Sequence, residues 1–415
     1  MKRILCMMLC LLLMLSLFAC GKTPAETTGS TDAPGPNAPT AADITAAPSD
    51  DTTAAPETDG QLLRLPLIAV SMPVIREDLA GDDGTLLFSH IYQDAALIAP
   101  DADAAEKVVL NLLNQIDMSQ SYAQEIRDWA EEYYDPDSTW NPYSYQLLYN
   151  PTRIDEKVLS LYGAEIAYSG GIHPNQVCVS ASFDMVTGQL LQLDDVLAGS
   201  AAATELSQLI IEDLSENREN YQLYDGYATV VNERYGGVAA NWMDQPAWYF
   251  SNTGLCVYFS PYDIAPYVAG QIVVEIPYGQ LTDIVIDDYL PPELPAANGT
   301  ITAALAQDVD LEQYSQFAEA ILDDEGERFV LYSNDLVTNV MLEQGTWSAD
   351  GSSFTPSATV FMAHTLCGGD AVMIQALMGD TLPTMRLSYE SGSETHTQFI
   401  TQSGEDGSIL IVDTP

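Results

Sequence analysis

Basic residues are scarce in this sequence. Thirteen lysines and arginines stand against 60 aspartates and glutamates, a formal net charge of −47. Nucleic acid and anionic lipid headgroups are poor partners for such a surface, whereas basic partners are steered toward it. The same acidity also keeps an exported protein soluble, so it narrows the partner list without naming a member. Histidine is rarer still, with His90, His173, His364 and His396. No His-x3–5-His or Cys-x2-Cys spacing occurs, so the local signature of a zinc site is missing. The Gly-x-Ser-x-Gly nucleophile elbow, the Gly-rich phosphate loop and the Asp-x-Asp-x-Asp-Gly calcium loop are absent as well. No cofactor or metal is expected, and no catalytic residue stands out.

What is present begins with a leader. Lys2 and Arg3 precede an apolar run from residue 4 to 18, and Leu17-Phe18-Ala19-Cys20 ends it on small residues and a cysteine. The run is too short for a permanent membrane span, and polar residues follow at once. It resembles a bacterial lipoprotein signal peptide over 1–19, which would make Cys20 the lipidated N-terminus. Two or more acyl chains hold a protein stably at a bilayer. Residues 20–60 are nearly all Thr, Ala, Pro, Asp, Gly and Ser, too poor in large apolar side chains to pack. They are expected to form a tether reaching roughly 30–40 Å. The expected address is the outer face of the cytoplasmic membrane, with the bilayer touched only through the anchor.

Cys6 and Cys10 leave with the leader. Cys178, Cys256 and Cys367 remain, an odd number that allows at most one internal disulfide and no disulfide framework.

Residues 61–415 exceed one ordinary core, so two folded units are expected. Apolar spacing at 108, 112, 113, 116, 126, 129, 130 and 133 predicts a helix over 101–134. A second amphipathic helix is predicted over 201–214, a short one over 311–322, and partly helical structure over 221–240. Trp248-Tyr249-Phe250, 255–259 and 272–276 are strand-like, with Asn252-Thr253-Gly254 as a hairpin loop between the first two. Prolines and a linker-like composition mark 291–300. Beyond it, short β-rich runs separated by turn residues predict a small all-β sandwich-like domain over 301–415. The fold class expected is α+β, an antiparallel sheet with packed helices over about 62–288, followed by that β domain.

Two features suggest a binding surface. His173 follows Gly170-Gly171, where the backbone can approach a ligand closely, although a histidine there can equally cap a tight strand connection. Tyr262 and Tyr267 sit in a proline-rich corner, and aromatics carry large contact area at low entropy cost whether in a core or at a ligand.

Tyr168-Ser169-Gly170-Gly171-Ile172-His173-Pro174-Asn175, the run Asp-Met-Val-Thr-Gly-Gln-Leu-Leu-Gln-Leu-Asp-Asp-Val-Leu over 184–197, and Pro261-Tyr262-Asp263-Ile264-Ala265-Pro266-Tyr267 with Ile276-Pro277-Tyr278 resemble the domain-of-unknown-function family 3298 over 166–290. Residues 61–165 are similar, more loosely, to its companion family 4163. The resemblance implies an extracytoplasmic α+β module. Relatives carry it in a lysozyme-sensing anti-sigma factor and beside the catalytic domain of a peptidoglycan deacetylase. This sequence shows neither a transmembrane and sigma-binding segment nor the deacetylase's His-x3-His motif, and Ile172 stands where the family has Ala. The implied role is a non-catalytic module for a cell-envelope ligand, peptidoglycan or a basic protein such as lysozyme, with Gly170, Gly171, His173, Tyr262 and Tyr267 as candidate contacts. The alternative is a cell-wall-modifying enzyme, a deacetylase or hydrolase, built around His173. The oligomeric state is left open.

Overall fold

Asp101 starts the longest helix. In the computed structural model, which describes residues 64–237, 247–379 and 382–413, helix α1 spans Ala102–Tyr133. The Asp101 carboxylate accepts the Ala104 N–H at 3.0 Å, satisfying one donor that a first helical turn leaves free. Val108, Leu112, Ile116, Ala123, Ile126 and Ala130 form the buried stripe. Tyr133 is exposed instead of lying on that stripe. The helix ends there, and the next residue turns extended and donates from its phenol to Asp83 at 2.6 Å. Cys20, the tether and Trp242 lie outside the described residues.

The stripe packs on a five-stranded sheet in the order β2 (Val74–Ala80), β3 (Leu86–Gln93), β5 (Tyr143–Ile154), β6 (Val158–Tyr168) and β7 (Asn175–Asp184). All neighbours are antiparallel except β3 and β5, which run parallel. A parallel pair needs a long crossover, and α1 supplies it. Tyr145, Leu147, Leu161 and Phe183 fill the space beneath the helix.

A three-stranded antiparallel sheet follows, formed by β8 (Trp248–Phe250), β9 (Gly254–Phe259) and β10 (Ile272–Pro277). The short helix α2 (Leu193–Val196), α3 (Ser200–Glu216), α4 (Arg218–Tyr221) and α5 (Tyr227–Tyr235) precede it. Leu206, Ile210, Leu214 and Val231 share one core with Phe250, Val257, Phe259 and Val274. The opposite face of β8 and β9 carries Tyr249, Cys256 and Tyr258, which pack with Tyr162 and Cys178 of the five-stranded sheet. All six positions of β9 are buried because both faces are covered.

The remaining strands form two sheets over one core. One is four-stranded, β11 (Ile301–Leu305), β13 (Glu327–Ser333), β16 (Asp370–Ala376) and β12 (Gln316–Ile321). The other has seven antiparallel strands in the order β19 (Ile409–Val412), β18 (Glu394–Gln402), β17 (Met385–Ser391), β14 (Val337–Trp347), β15 (Phe354–Leu366), β1 (Ala69–Ser71) and β4 (Ala96–Ile98). Phe329, Leu331 and Ile374 meet Val340, Leu342 and Val360 between them. The α+β fold class and the β-rich C-terminal region are therefore present. The helix expected over 311–322 is not. One 3-10 turn, Leu311–Gln313, leads into β12, which pairs in parallel with β16. Ala318 and Ala320 face the core at a period of two, and a short apolar run of this kind looks the same for either structure until it finds a neighbour.

The start of the described chain is built into the C-terminal sheet. Ala69, Val70 and Ser71 lie opposite Ala363, Met362 and Phe361. Gln316 accepts the Leu67 N–H at 2.9 Å and donates to the Leu65 carbonyl at 2.7 Å. The proline-rich stretch is tied down too, with Asn298 and Gly299 both donating to Leu336 O, at 3.0 and 2.9 Å. Residues Gly60–Pro415 cluster as one compact unit.

Candidate functional site

Two connections meet at one edge of the molecule. One joins β6 to β7 through Ser169–Pro174, and the other joins β9 to β10 through Ser260–Gln271. They are brought together by the tyrosine layer between the sheets. Tyr162 stacks on Tyr249 at 4.6 Å between ring centroids and meets Tyr258 edge-on at 5.2 Å. The Tyr258 phenol reaches Ser180 Oγ at 3.2 Å.

The second connection is anchored from inside. Ile264 and Ala265 are buried in the helix-facing core, and Tyr224 N–H donates to Ile264 O at 2.9 Å. Asp263 accepts from the Ser260 N–H and from Arg234, both at 2.9 Å. Burial works against the charge on Arg234, but the Asp263 carboxylate outweighs it, so the guanidinium pKa stands above its ordinary value. With Ile264 pinned inward, Tyr262 and Tyr267 are turned outward.

Those tyrosines and His173 form one row. His173 stacks on Tyr267 at 5.0 Å and 26°, and Tyr267 meets Tyr262 at 5.6 Å. Tyr262 is 63% exposed, and Val268 and Ile172 beside the row are more exposed still. His173 Nδ1 lies 2.9 Å from Pro174 O, which leaves Nε2 outward. Gly170 and Gly171 both take positive φ, at 91° and 113°. Gly170 also packs against Tyr143, whose phenol oxygen would lie 3.2 Å from a Cβ there. Tyr262 adopts φ +77° without being glycine, a conformation that stores strain and persists only where surroundings impose it.

All five candidate residues proposed from sequence thus lie together. Tyr143 and Trp140 were not singled out in sequence, yet they continue the aromatic edge. Trp140 stacks on Tyr143 at 4.8 Å, and Tyr143 meets Tyr168 at 6.2 Å. Neither has a local sequence signal, since each comes from the segment after α1. Among the described residues, no group of three or more His, Cys, Asp or Glu is placed to hold a metal ion. Cys178, Cys256 and Cys367 are free and buried, and burial pushes the Cys256 thiol up to about 11. Among the described residues, no helix is long and apolar enough to cross a membrane.

Residues 194–279 match the family described as Protein of unknown function (DUF3298). The DUF3298 domain therefore contains α3, α5, the three-stranded sheet, Tyr262 and Tyr267, while Gly170, Gly171 and His173 lie before its matched part. Two solved structures of this family are similar to the chain. A protein from Bacteroides fragilis is 16% identical over 53% of this chain and 94% of its own, with a TM-score of 0.38. One from Pseudomonas aeruginosa is 17% identical over 57% of this chain and 99% of its own, with a TM-score of 0.37. No curated protein matches the chain.

Proposed function

We propose that this protein is a lipid-anchored extracytoplasmic binding module that takes a cell-envelope ligand on the His173–Tyr267–Tyr262 row, with 61–165 as a companion region of the family 4163 type. The exposed, stacked row carries the reading. Flat aromatic faces offer apolar contact to the C–H faces of a sugar ring, and the outward His173 nitrogen can bond a hydroxyl. Peptidoglycan glycan is the ligand that fits best. The net charge of −47 favours a second reading, a basic wall-active protein such as lysozyme drawn to the same edge.

Binding of the purified protein to muropeptides and to lysozyme tests both. Tyr267→Ala is expected to weaken glycan binding about tenfold, near 1.4 kcal/mol. Tyr262→Gly should weaken it similarly while raising stability by about 1 kcal/mol, because glycine accepts the positive φ. Glycan binding should be nearly indifferent to salt, and protein binding should fall with it. Retention of full affinity by both tyrosine variants overturns the platform. Wall-cleaving or deacetylating activity that disappears in His173→Ala would replace binding with the enzyme reading. For the anchor, Cys20→Ala is expected to move the protein from the membrane to the soluble fraction, and unchanged membrane retention would refute lipidation there.

A further inference from the structure

A cavity of about 440 Å³ lies where β5, the β8–β9 hairpin and the seven-stranded sheet meet the proline-rich stretch 291–297. Small-molecule sites span roughly 300–1,000 Å³ and favour such junctions between folded bodies. Its lining divides by origin. Pro291, Pro292, Leu294 and Pro295 supply an apolar side. Fixed proline φ angles stiffen that stretch, and the Gly392 N–H donates to Ala297 O at its end. Asn252, Asn339, His364 and Glu390 bring polar groups from the hairpin and from β14, β15 and β17.

An irregularity in the sheet positions one of those groups. Thr338 and Met341 of β14 lie opposite Glu390 and Ser388 of β17, so β14 carries one residue more than its partner. Asn339 sits in this bulge at φ +52°, a left-handed conformation that asparagine tolerates better than most residues. Bulges interrupt a ladder to re-aim a side chain and gather next to functional sites. Asn339 also falls between the pairs Thr338–Thr365 and Val340–Ala363, which sets it across from His364 in register. Its Nδ2 donates to Glu390 Oε2 at 3.0 Å, leaving Asn339 Oδ1 and Glu390 Oε1 without protein partners among the described residues. Both residues are half-buried, so neither is sealed from the cavity.

The remaining charges are compensated. Arg153 and Asp155 line the cavity as an ion pair. Burial pushes the His364 pKa down against the pull of Asp155, so its ring is neutral, with one donor and one acceptor nitrogen. An anion would meet the Glu390 and Asp155 carboxylates, and a cation would meet Arg153 beside a carboxylate already half-occupied by Asn339.

We infer that this cavity binds a neutral pyranose sugar, its hydroxyls on Asn339, Glu390 and His364 and its C–H face on the 291–295 stretch. A hydroxyl both donates and accepts, which suits a carboxylate oxygen, an amide oxygen and a neutral imidazole side by side. The site is built from other residues than the His173 row and is independent of the reading given to that row.

His364 and His173 give each site its own reporter, so their ring resonances, followed while the full chain is titrated, separate the two. Glucose and N-acetylglucosamine should shift the His364 signals and saturate in the millimolar range. Glucuronate, ethanolamine and glycerol add an anion, add a cation or lack a ring face, and by the same signal should bind at least about tenfold more weakly. Asn339→Gly keeps the φ of the bulge and removes the amide, and should weaken glucose about tenfold. Glu390→Gln keeps the shape and gives up a charge-assisted bond, for a loss of about fivefold. His364 signals unmoved by both sugars, glucuronate, ethanolamine or glycerol binding as tightly as glucose, or unaltered affinity in the two variants would each overturn the assignment.

Discussion

Replacing Arg153 by alanine is expected to remove about 3–5 kcal/mol of folding stability. Arg153 is 2% exposed, and its Nη2 lies 2.7 Å from Asp155 Oδ2, which also accepts from Nε at 2.7 Å. Its Nη1 donates to the Tyr278 phenol at 2.9 Å and to Tyr289 O at 2.7 Å. The guanidinium lies 5.1 Å from the Phe250 ring centroid, in cation–π range. One side chain on β5 thereby fastens the β8 strand, the turn after β10 and the 287–289 turn. Truncation would leave Asp155 buried and uncompensated, and Tyr289 O without its donor. Tyr278 would also lose a partner. Its phenol, pushed up to about 12 mainly by burial and pulled back by Arg153, donates onward to Ser251 O at 2.8 Å.

The asymmetry of a buried pair gives the prediction a second arm. Arg153→Met combined with Asp155→Leu removes both charges and is expected to recover part of the loss. Recovery stays incomplete because Asp155 Oδ1 also accepts the Lys157 and Val158 N–H groups, at 2.8 and 2.9 Å. Denaturant unfolding of the three proteins measures both effects. A loss below about 1 kcal/mol in Arg153→Ala would mean that water reaches the pair and screens it.

Gly163→Ala is expected to cost on the order of 4 kcal/mol or to prevent folding. Gly163 lies opposite Tyr149 in the middle of the β5–β6 pair. An added Cβ would sit 1.9 Å from Leu148 O and 2.9 Å from Tyr149 Cα. Those are backbone atoms of the adjacent strand, so no rotamer change relieves the clash and the strands must part. The same pair holds the β6 end from which the Gly170-Gly171 turn departs, so the platform would shift with it. Gly171→Ala is the control. Its Cβ would meet nothing within 4 Å, and its φ of 113° costs only local strain of about 1–3 kcal/mol. Thermal unfolding and soluble yield compare them, and a Gly163→Ala protein more stable than Gly171→Ala would refute the close-approach argument.

The local elements were legible where a periodic face meets one neighbour. The stripe from Val108 to Ala130 and the Asp101 cap placed α1 to within a residue or two, because helix burial and capping leave their marks within a few positions. The candidate residues were legible through turn chemistry, since two consecutive glycines and a Pro-Tyr-Asp corner announce exposed connections. Their meeting was not. His173 and Tyr267 are set side by side by the packing of Tyr162 between Tyr249 and Tyr258, and tyrosines in strands carry no mark of which sheet they face. Arg153 looked like any strand residue, and its partner Tyr289 comes from a turn far along the chain.

The sequence alone determined the strong acidity, the missing nucleophile and metal signatures, the two long helices and the alternating strands around Gly254. All of these depend on composition or on spacings within one element. Tertiary structure alone decided that Ala69–Ser71 joins the C-terminal sheet beside β15, that Gln316–Ile321 is a strand, and that Arg153 reaches Tyr278 and Tyr289. Those outcomes depend on which surfaces meet after distant segments fold, and pairing between distant segments writes no periodic pattern into either one.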